Sequence, residues 1–558
     1  MDNPDFLIVG GGSAGAVLAA RLSEDPATRV LLIEAGPDTP PGAVPDDIAD
    51  IFPRSTLNPD YFWPDLNAKR SSDAPARPFP QARIMGGGSS VMGLWSLRGV
   101  PTDYDDWTAA GATGWGWSDV LPYFRKLEND ADRDQSQSAT KPYAIRRAPR
   151  DEWSGFIRTL ESAAALRGLA DVPDINEMPG DGFFAMPVSH NSAARSTSAS
   201  CYLTADVRRR SNLSIMPGTQ VLKLLCDGQT VTGVTVRRGN DTSTIVTRET
   251  ILSAGGIHSP ALLLRSGIGP TDEIKALGIS PVADRPGVGR NLQNHIYLNL
   301  AITLPPHARL AAHLRHFAVA GMRLSSKIDG APASDLLTFV TGRVSPYAFG
   351  PDVALFGAAL YAPFSRGAVT LVDAAPDTPP RIEFRLLEDP RDPPRLLMAT
   401  RFIEALLHDS KLAADYTDAF LLPPVMALNQ FNKPGLFGRT LAAAAKTALN
   451  LPAPLTRAIV GRMIAPGRWI ANRHGHAPLS DDEILSAAVP MAHPTSTCSI
   501  GPADNPLAVV DAQCRVHGVA NLRVVDASIM PRVPSANTNL PTLMVAERAA
   551  DLIRSRRM

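Results

Sequence analysis

Only four cysteines occur in the 558-residue chain, Cys201, Cys226, Cys498 and Cys514, and no two fall in a C-x-x-C pair. Their scarcity and scatter exclude a disulfide framework and a zinc ribbon, and a reducing compartment fits them best. Excess charge is also missing. Lys+Arg and Asp+Glu each number 55, so no global basic field draws in nucleic acid or an anionic membrane. No apolar run reaches the roughly 20 residues of a membrane span; Leu262–Leu264 and Ala442–Ala445 are soon interrupted by Arg, Lys, Gly or Pro. The start, Met1-Asp2-Asn3-Pro4-Asp5, is acidic and leads straight into apolar Phe6–Val9, without the basic and long apolar regions of a secretion signal. No repeat of fixed period recurs. The expectation is a soluble, cytoplasmic protein with neither a membrane span nor a nucleic-acid partner.

What is present is an ordinary globular composition, 44% hydrophobic and 20% charged, with 50 prolines and 42 glycines forecasting many loops. The length suggests two to four domains. Residues 6–34 read as strand, tight turn, helix and strand: Phe6–Val9, then Gly10-Gly11-Gly12-Ser13-Ala14-Gly15, a helix from Ala16 to Leu22, and Val30–Ile33 ending at Glu34. That is a βαβ unit, and its connection implies a parallel sheet. Residues 36–80 read as long ordered loops. Strand-rich patterns follow at Leu213–Val236, with a turn at Asp227-Gly228, and at Thr244–Ser253. From about 301 to 489 the composition changes to Pro-rich connections and the helical patterns Leu396–Leu407 and Leu441–Leu449. A strand at Leu522–Val525, a loop at Pro531–Asn539 and a helix at Leu543–Ile553 close the chain.

Gly10, Gly12 and Gly15 make G-x-G-x-x-G directly after a strand and at a helix start. Missing side chains there let backbone N–H groups and the helix dipole meet a pyrophosphate. Glu34, at the end of the second strand, is placed to accept a hydrogen bond from an adenosine ribose and would repel a 2′-phosphate. These residues indicate a dinucleotide without separating FAD from NAD.

Four further motifs resemble those of the glucose-methanol-choline (GMC) oxidoreductases. They are Arg83-Ile84-Met85-Gly86-Gly87-Gly88-Ser89-Ser90 with Asp103-Tyr104-Asp105-Asp106-Trp107; Ala254-Gly255-Gly256 through Ser266-Gly267-Ile268-Gly269-Pro270; Gly287-Val288-Gly289-Arg290-Asn291-Leu292-Gln293-Asn294-His295; and Val525-Asp526-Ala527-Ser528 with Asn537-Thr538-Asn539. Tyr61-Phe62-Trp63-Pro64 and Val533–Leu543 most resemble the members of that family that oxidise hydroxymethylfurfural and aryl alcohols.

The resemblance implies an α/β fold: a Rossmann-like FAD-binding domain from residues 1–150, 205–300 and 490–558, and an α+β substrate-binding domain from 151–204 and 301–489. It implies FAD as cofactor and oxidation of a primary aryl or furan alcohol to the aldehyde, with hydride passing to flavin N5 and oxygen as acceptor. His493, in His493-Pro494-Thr495-Ser496-Thr497-Cys498, matches the position of the family's catalytic base, and Asn537 the position that holds the substrate oxygen. An imidazole is neutral often enough near pH 7 to take the hydroxyl proton. Ser13 and Ala14 complete the pyrophosphate turn, Val221 meets adenine through its backbone, and Ser89, Ser90, Asp526, Ala527 and Thr538 run along the flavin. Ala35, Trp63, Met85, Val91, Met92 and Ala492 complete the expected cofactor set. Val91 stands where some members carry a histidine bonded to the flavin, so the FAD is expected to be noncovalent. Met92 stands where many carry Asn, which keeps open a dehydrogenase that passes electrons to a quinone. A redox-neutral hydroxynitrile lyase and an inactive flavin-binding module are the remaining alternatives.

Three other features invite a function and are read otherwise. His474-Gly475-His476 has no third ligand cluster, so no metal site is expected. Arg208-Arg209-Arg210 reads as a solvated face, and Cys498 as a small packing residue. His295 reads as a structural hydrogen-bonding residue, and it is the next candidate base after His493.

Overall fold

Four consecutive apolar residues, Phe6–Val9, form strand β1, and Val30–Ile33 form β2; every residue of both is buried, as a parallel sheet covered on two faces requires. They pair in parallel with Ile8 opposite Leu32, and helix α1 (Ser13–Leu22) supplies the crossover. α1 starts three residues before the periodicity indicates, because the end of the glycine turn is already its first helical turn. The computed structural model describes residues 3–133, 141–423, 431–432, 435–463, 468–472 and 474–555. Met1 and Asp2 of the acidic start lie outside the described residues.

The first sheet has the order Leu522–Val524, Glu249–Leu252, β1, β2, Leu213–Met216, with every neighbouring pair parallel. From β1 the chain moves toward one edge, then returns much later to the other side. The strand order therefore reverses beside β1, and the crevice beyond the carboxyl ends at such a reversal is where these sheets take a dinucleotide. The C-terminal helix Asn539–Arg554, longer at its start than the expected Leu543–Ile553, covers α1. Covered by that helix on one side and the sheet on the other, Ala16, Val17, Leu18 and Ala19 lose all exposure. Arg21 fixes the pair: its Nε and Nη2 donate to the buried Glu547 carboxylate at 2.8–3.0 Å. The strand-rich stretch after Leu213 also forms an antiparallel meander, Thr219–Asp227, Thr230–Arg238 and Asp241–Val246. Its first turn sits at Gly228, in the left-handed region at φ 55°.

A second, nine-stranded sheet runs Gly475–His476, Arg468–Asn472, Asp418–Leu421, Ile296–Thr303, Val353–Leu360, Leu336–Thr341, Ala318–Leu324, Gly182–Ala185, with Val489–Pro490 also pairing to Ile296–Thr303. Its strands were not legible individually in the sequence. Val353–Leu360 is buried at all eight positions, so it is a continuous apolar run with no two-residue alternation. Helix Asp392–Leu407 lays Leu396, Ala399, Ile403, Leu406 and Leu407 on this sheet, at the spacing of a helical face. Fully buried Arg395 ties the helix down by pairing with Asp335 at 2.7 Å, and it also pairs with Asp392 in its own first turn at 3.2 Å. No helix among the described residues is long and apolar enough to cross a membrane.

Candidate active site

A cavity of about 460 Å³ opens at the carboxyl ends of β1 and β2 and extends to the edge of the second sheet. At one end its wall is Gly10, Gly12, Ser13, Ala14, Glu34, Ala35, Trp63 and Val221. At the other it is Ser89, Met92, Ala492, His493, Asp526, Ala527, Asn537 and Thr538. Sixteen of the twenty expected site residues thus line one space.

The glycines of the turn do different work. A Cβ on Gly15 would lie 1.9 Å from the Gly10 carbonyl oxygen, and one on Gly10, at φ 101°, 2.6 Å from that of Ser253. Both glycines let strand, turn and helix close on each other. A Cβ on Gly12 would meet nothing nearer than Gly87 Cα at 3.9 Å, so Gly12 keeps the wall of the cavity open. Glu34 is drawn into the same turn. Its carboxylate accepts the Gly11 and Gly36 N–H groups, each at 2.8 Å, while burial raises its pKa above the usual range.

Four of the expected cofactor residues stand behind the wall. Gly15 is under the turn, and Met85 is fully buried with its sulfur beneath Gly11. The Ser90 hydroxyl donates to the Met85 carbonyl at 2.8 Å. Val91 packs with Ile48, Tyr61 and Ile84.

The catalytic candidates join in one chain of hydrogen bonds. His295 Nε2 lies 3.1 Å from the Pro534 carbonyl oxygen, which only accepts, so the proton of this ring is on Nε2. His295 Nδ1 is then an acceptor, and His493 Nδ1, 2.9 Å away, donates to it. That leaves His493 Nε2 with a bare lone pair, 3.2 Å from Asn537 Nδ2. The Tyr361 hydroxyl donates to Asn537 Oδ1 at 3.0 Å, which holds the amide with its N–H toward the imidazole. Burial lowers the His493 pKa to about 3 and that of His295 well below its ordinary value, with the neighbouring His493 ring adding to the latter. Both are neutral at pH 7, so His493 Nε2 presents an unprotonated lone pair at the cavity wall.

This chain is held from both sides. The His493 N–H donates to Asn294 Oδ1 at 3.3 Å, and the Met491 N–H to the His295 carbonyl at 2.9 Å. Asp103 accepts the Ser535 N–H and hydroxyl at 2.8 and 2.9 Å, and buried Arg323 donates to the Ser535 carbonyl at 2.9 Å. The loop that presents Pro534 and Asn537 is thereby pinned. His295 is thus a hydrogen-bonding residue, as expected, and its partner is the candidate base itself. Tyr361 and Arg323 carry no local signal in the sequence, since they come from the second sheet and reach the site only by folding. Tyr361 also stacks on His295, with ring centroids 4.2 Å apart and planes 6° from parallel.

The cavity offers bonds that the protein leaves unmade. His258, which lines it beside Trp63, has an unpartnered buried Nε2; the two rings are 4.4 Å apart, and Arg83 lies over the indole at 5.1 Å. An open glycine turn at a helix N-terminus and an orphaned polar atom on the same wall fit a dinucleotide. The features read as non-functional have local partners: Arg208 grips Asp38 through two bonds of 2.8 Å, Arg210 binds the Ala20 carbonyl and the Ser23 hydroxyl, and His476 packs against His408 with the rings tilted by 45°. Cys498 is fully buried and its thiol is pushed up by burial.

Fold and site together describe a dinucleotide-dependent oxidoreductase with an imidazole base at the reactive end. The family model of the GMC oxidoreductases matches residues 4–297 with its N-terminal part and 363–546 with its C-terminal part, and the chain belongs to this family of FAD-dependent oxidoreductases acting on CH–OH groups. It is 40% identical over 567 residues to the 5-(hydroxymethyl)furfural oxidase of Methylovorus sp. (strain MP688), covering 98% of each chain. It is 30% identical to the oxygen-dependent choline dehydrogenase of Vibrio vulnificus (strain YJ016), over 98% of this chain and 94% of that one. Among solved structures, pyridoxine 4-oxidase from Mesorbium loti superposes with a TM-score of 0.78 at 28% identity over 99% of both chains.

Proposed function

We propose that the protein oxidises a primary alcohol carried on an aryl or furan ring to the aldehyde, with His493 as general base and oxygen as the electron acceptor. The observation that carries this is the fixed tautomer of His493, whose Nε2 lone pair faces the cavity next to the Asn537 N–H. An alcohol oxygen entering beside them displaces that direct bond, accepts from Asn537 Nδ2 and donates to His493 Nε2. As the C–H bond breaks, the hydroxyl proton moves to Nε2, and the His493 Nδ1–H to His295 Nδ1 bond keeps the ring in place. FAD, when bound, supplies the hydride acceptor. Gly10–Gly15 and the start of α1 hold its pyrophosphate, Glu34 faces the ribose, the Thr219–Val221 backbone borders the adenine, and Ser89, Asp526, Ala527 and Thr538 flank the flavin. Val91 has no group to bond the flavin, so the cofactor is noncovalent. The domain division proposed is the one expected from the resemblance, 1–150, 205–300 and 490–558 against the rest, and the site lies where the two parts meet. The 40% identity to a hydroxymethylfurfural oxidase supports the ring alcohol and oxygen.

The test is anaerobic reduction by benzyl or furfuryl alcohol, followed by admission of oxygen. The expected result is bleaching of the flavin band, its recovery, and release of hydrogen peroxide. Slow recovery with oxygen beside fast recovery with a quinone would replace the oxidase by a dehydrogenase, and no bleaching by any ring alcohol would overturn the substrate class. His493→Ala is expected to retain FAD and to lose reduction by about 10²-fold or more.

A further inference from the structure

A second cavity of about 760 Å³ shares Met92, Gly93 and Ala492 with the first, so the two meet next to His493. Its walls are mainly apolar and aromatic, with Phe62, Phe79, Phe317 and Tyr297 prominent. A space of this size is in the class that encloses a multi-ring ligand, well beyond one furan or benzene ring. Arg70, Asp73 and Arg77 also line it, and two buried amides face it besides. Asn299, 9% exposed, has an Oδ1 with no hydrogen-bond partner. Asn432, 6% exposed, donates Nδ2 to the Val344 carbonyl at 3.0 Å and leaves its own Oδ1 unpartnered. Buried acceptors without a donor cost free energy, and native structures pair nearly all of them. Here both line the same chamber.

Their position follows from the strand. Tyr297 and Asn299 lie on one face of Ile296–Thr303, and Asn299 is four residues past His295, about 13 Å at the usual rise. Asn299 is thereby displaced along the strand from the base, and Asn432 lines the same chamber. We infer that Asn299 and Asn432 select an elongated, two-ring primary alcohol bearing a hydrogen-bond donor, a hydroxyl or N–H, at the end opposite its CH₂OH group. This inference rests on the alcohol oxidation proposed above. The apolar walls take the ring body and the two amide oxygens take the distal donor. An analogue without that donor leaves both acceptors buried and unpaired, which is the arrangement that discriminates strongly between otherwise equal substrates.

The experiment compares biphenyl-4-ylmethanol with (4′-hydroxybiphenyl-4-yl)methanol on the FAD-loaded enzyme, following flavin reduction, with benzyl alcohol as the single-ring reference. The expected ratio of kcat/KM, hydroxylated over plain, is about tenfold or more in the wild type, carried chiefly by KM. Asn299→Leu and Asn432→Leu, which keep the side-chain shape, are expected to bring that ratio toward one. Equal kcat/KM for the two biphenyls in the wild type, with benzyl alcohol reducing the flavin, would overturn this inference and leave the proposed function standing. A wild-type preference that survives in both variants would likewise overturn the assignment of the two asparagines. Failure of all three alcohols to reduce the flavin would overturn both.

Discussion

Replacing His295 with Phe tests the hydrogen-bond chain most directly. A phenyl ring keeps the stacking on Tyr361, whose plane is 6° from that of His295, but removes the acceptor of the His493 Nδ1 proton. The His493 tautomer with a bare Nε2 then carries a buried unpaired N–H, a penalty of about 1–3 kcal/mol. At 1.4 kcal/mol per factor of ten, the rate of flavin reduction is expected to fall about 5- to 150-fold. Substitution by Gln, whose amide oxygen accepts in place of Nδ1, is expected to recover part of that loss. Stopped-flow reduction by benzyl alcohol, measured from pH 5 to 9 in protein with normal FAD content, reads the effect. Wild-type His493 stays neutral down to about pH 3, so the wild-type rate should show no histidine titration on this limb. A rate in the Phe variant within twofold of wild type, or a Gln variant no better than Phe, would refute the tautomer argument.

Other outcomes follow from the same structure. Gly12→Ala is expected to fold, since its Cβ finds open space, yet to retain less FAD after gel filtration, whereas Gly15→Ala, facing the Gly10 carbonyl at 1.9 Å, is expected to yield little soluble protein. Acid precipitation should release the flavin into the supernatant, and flavin that stays with the protein would refute noncovalent binding. His316 is 7% exposed, 3.1 Å from His190, and burial together with that neighbour lowers its pKa to about 4. The unfolded chain takes up this proton near 6.5, so the neutral folded form is fully stable above that value and loses stability as pH falls toward 4, by about 2 kcal/mol at pH 5. His316→Phe is therefore expected to narrow the difference in Tm between pH 7 and pH 5, and an unchanged difference would remove His316 as its source.

Local chemistry alone determined the nucleotide end of this protein. Strand β1, the Gly10–Gly15 turn, α1, β2 and Glu34 are contiguous, and each is specified by residues within a few positions of it, so their periods and glycines could be read in order. His493 and Asn537, the proposed reactive residues, were picked out instead by the resemblance of their motifs to those of the family. Tertiary structure decided how those two act. The proton on His493 is placed by His295, Pro534 and Tyr361, which are separated by up to about 240 positions in the chain and meet only on folding. That sheet escaped reading because strands buried on both faces lose the alternation that identifies them. The chamber behind Met92 is likewise a property of packing, since Asn299 and Asn432 are unremarkable polar residues until folding buries them facing the same space. No local pattern records which polar groups folding leaves without partners.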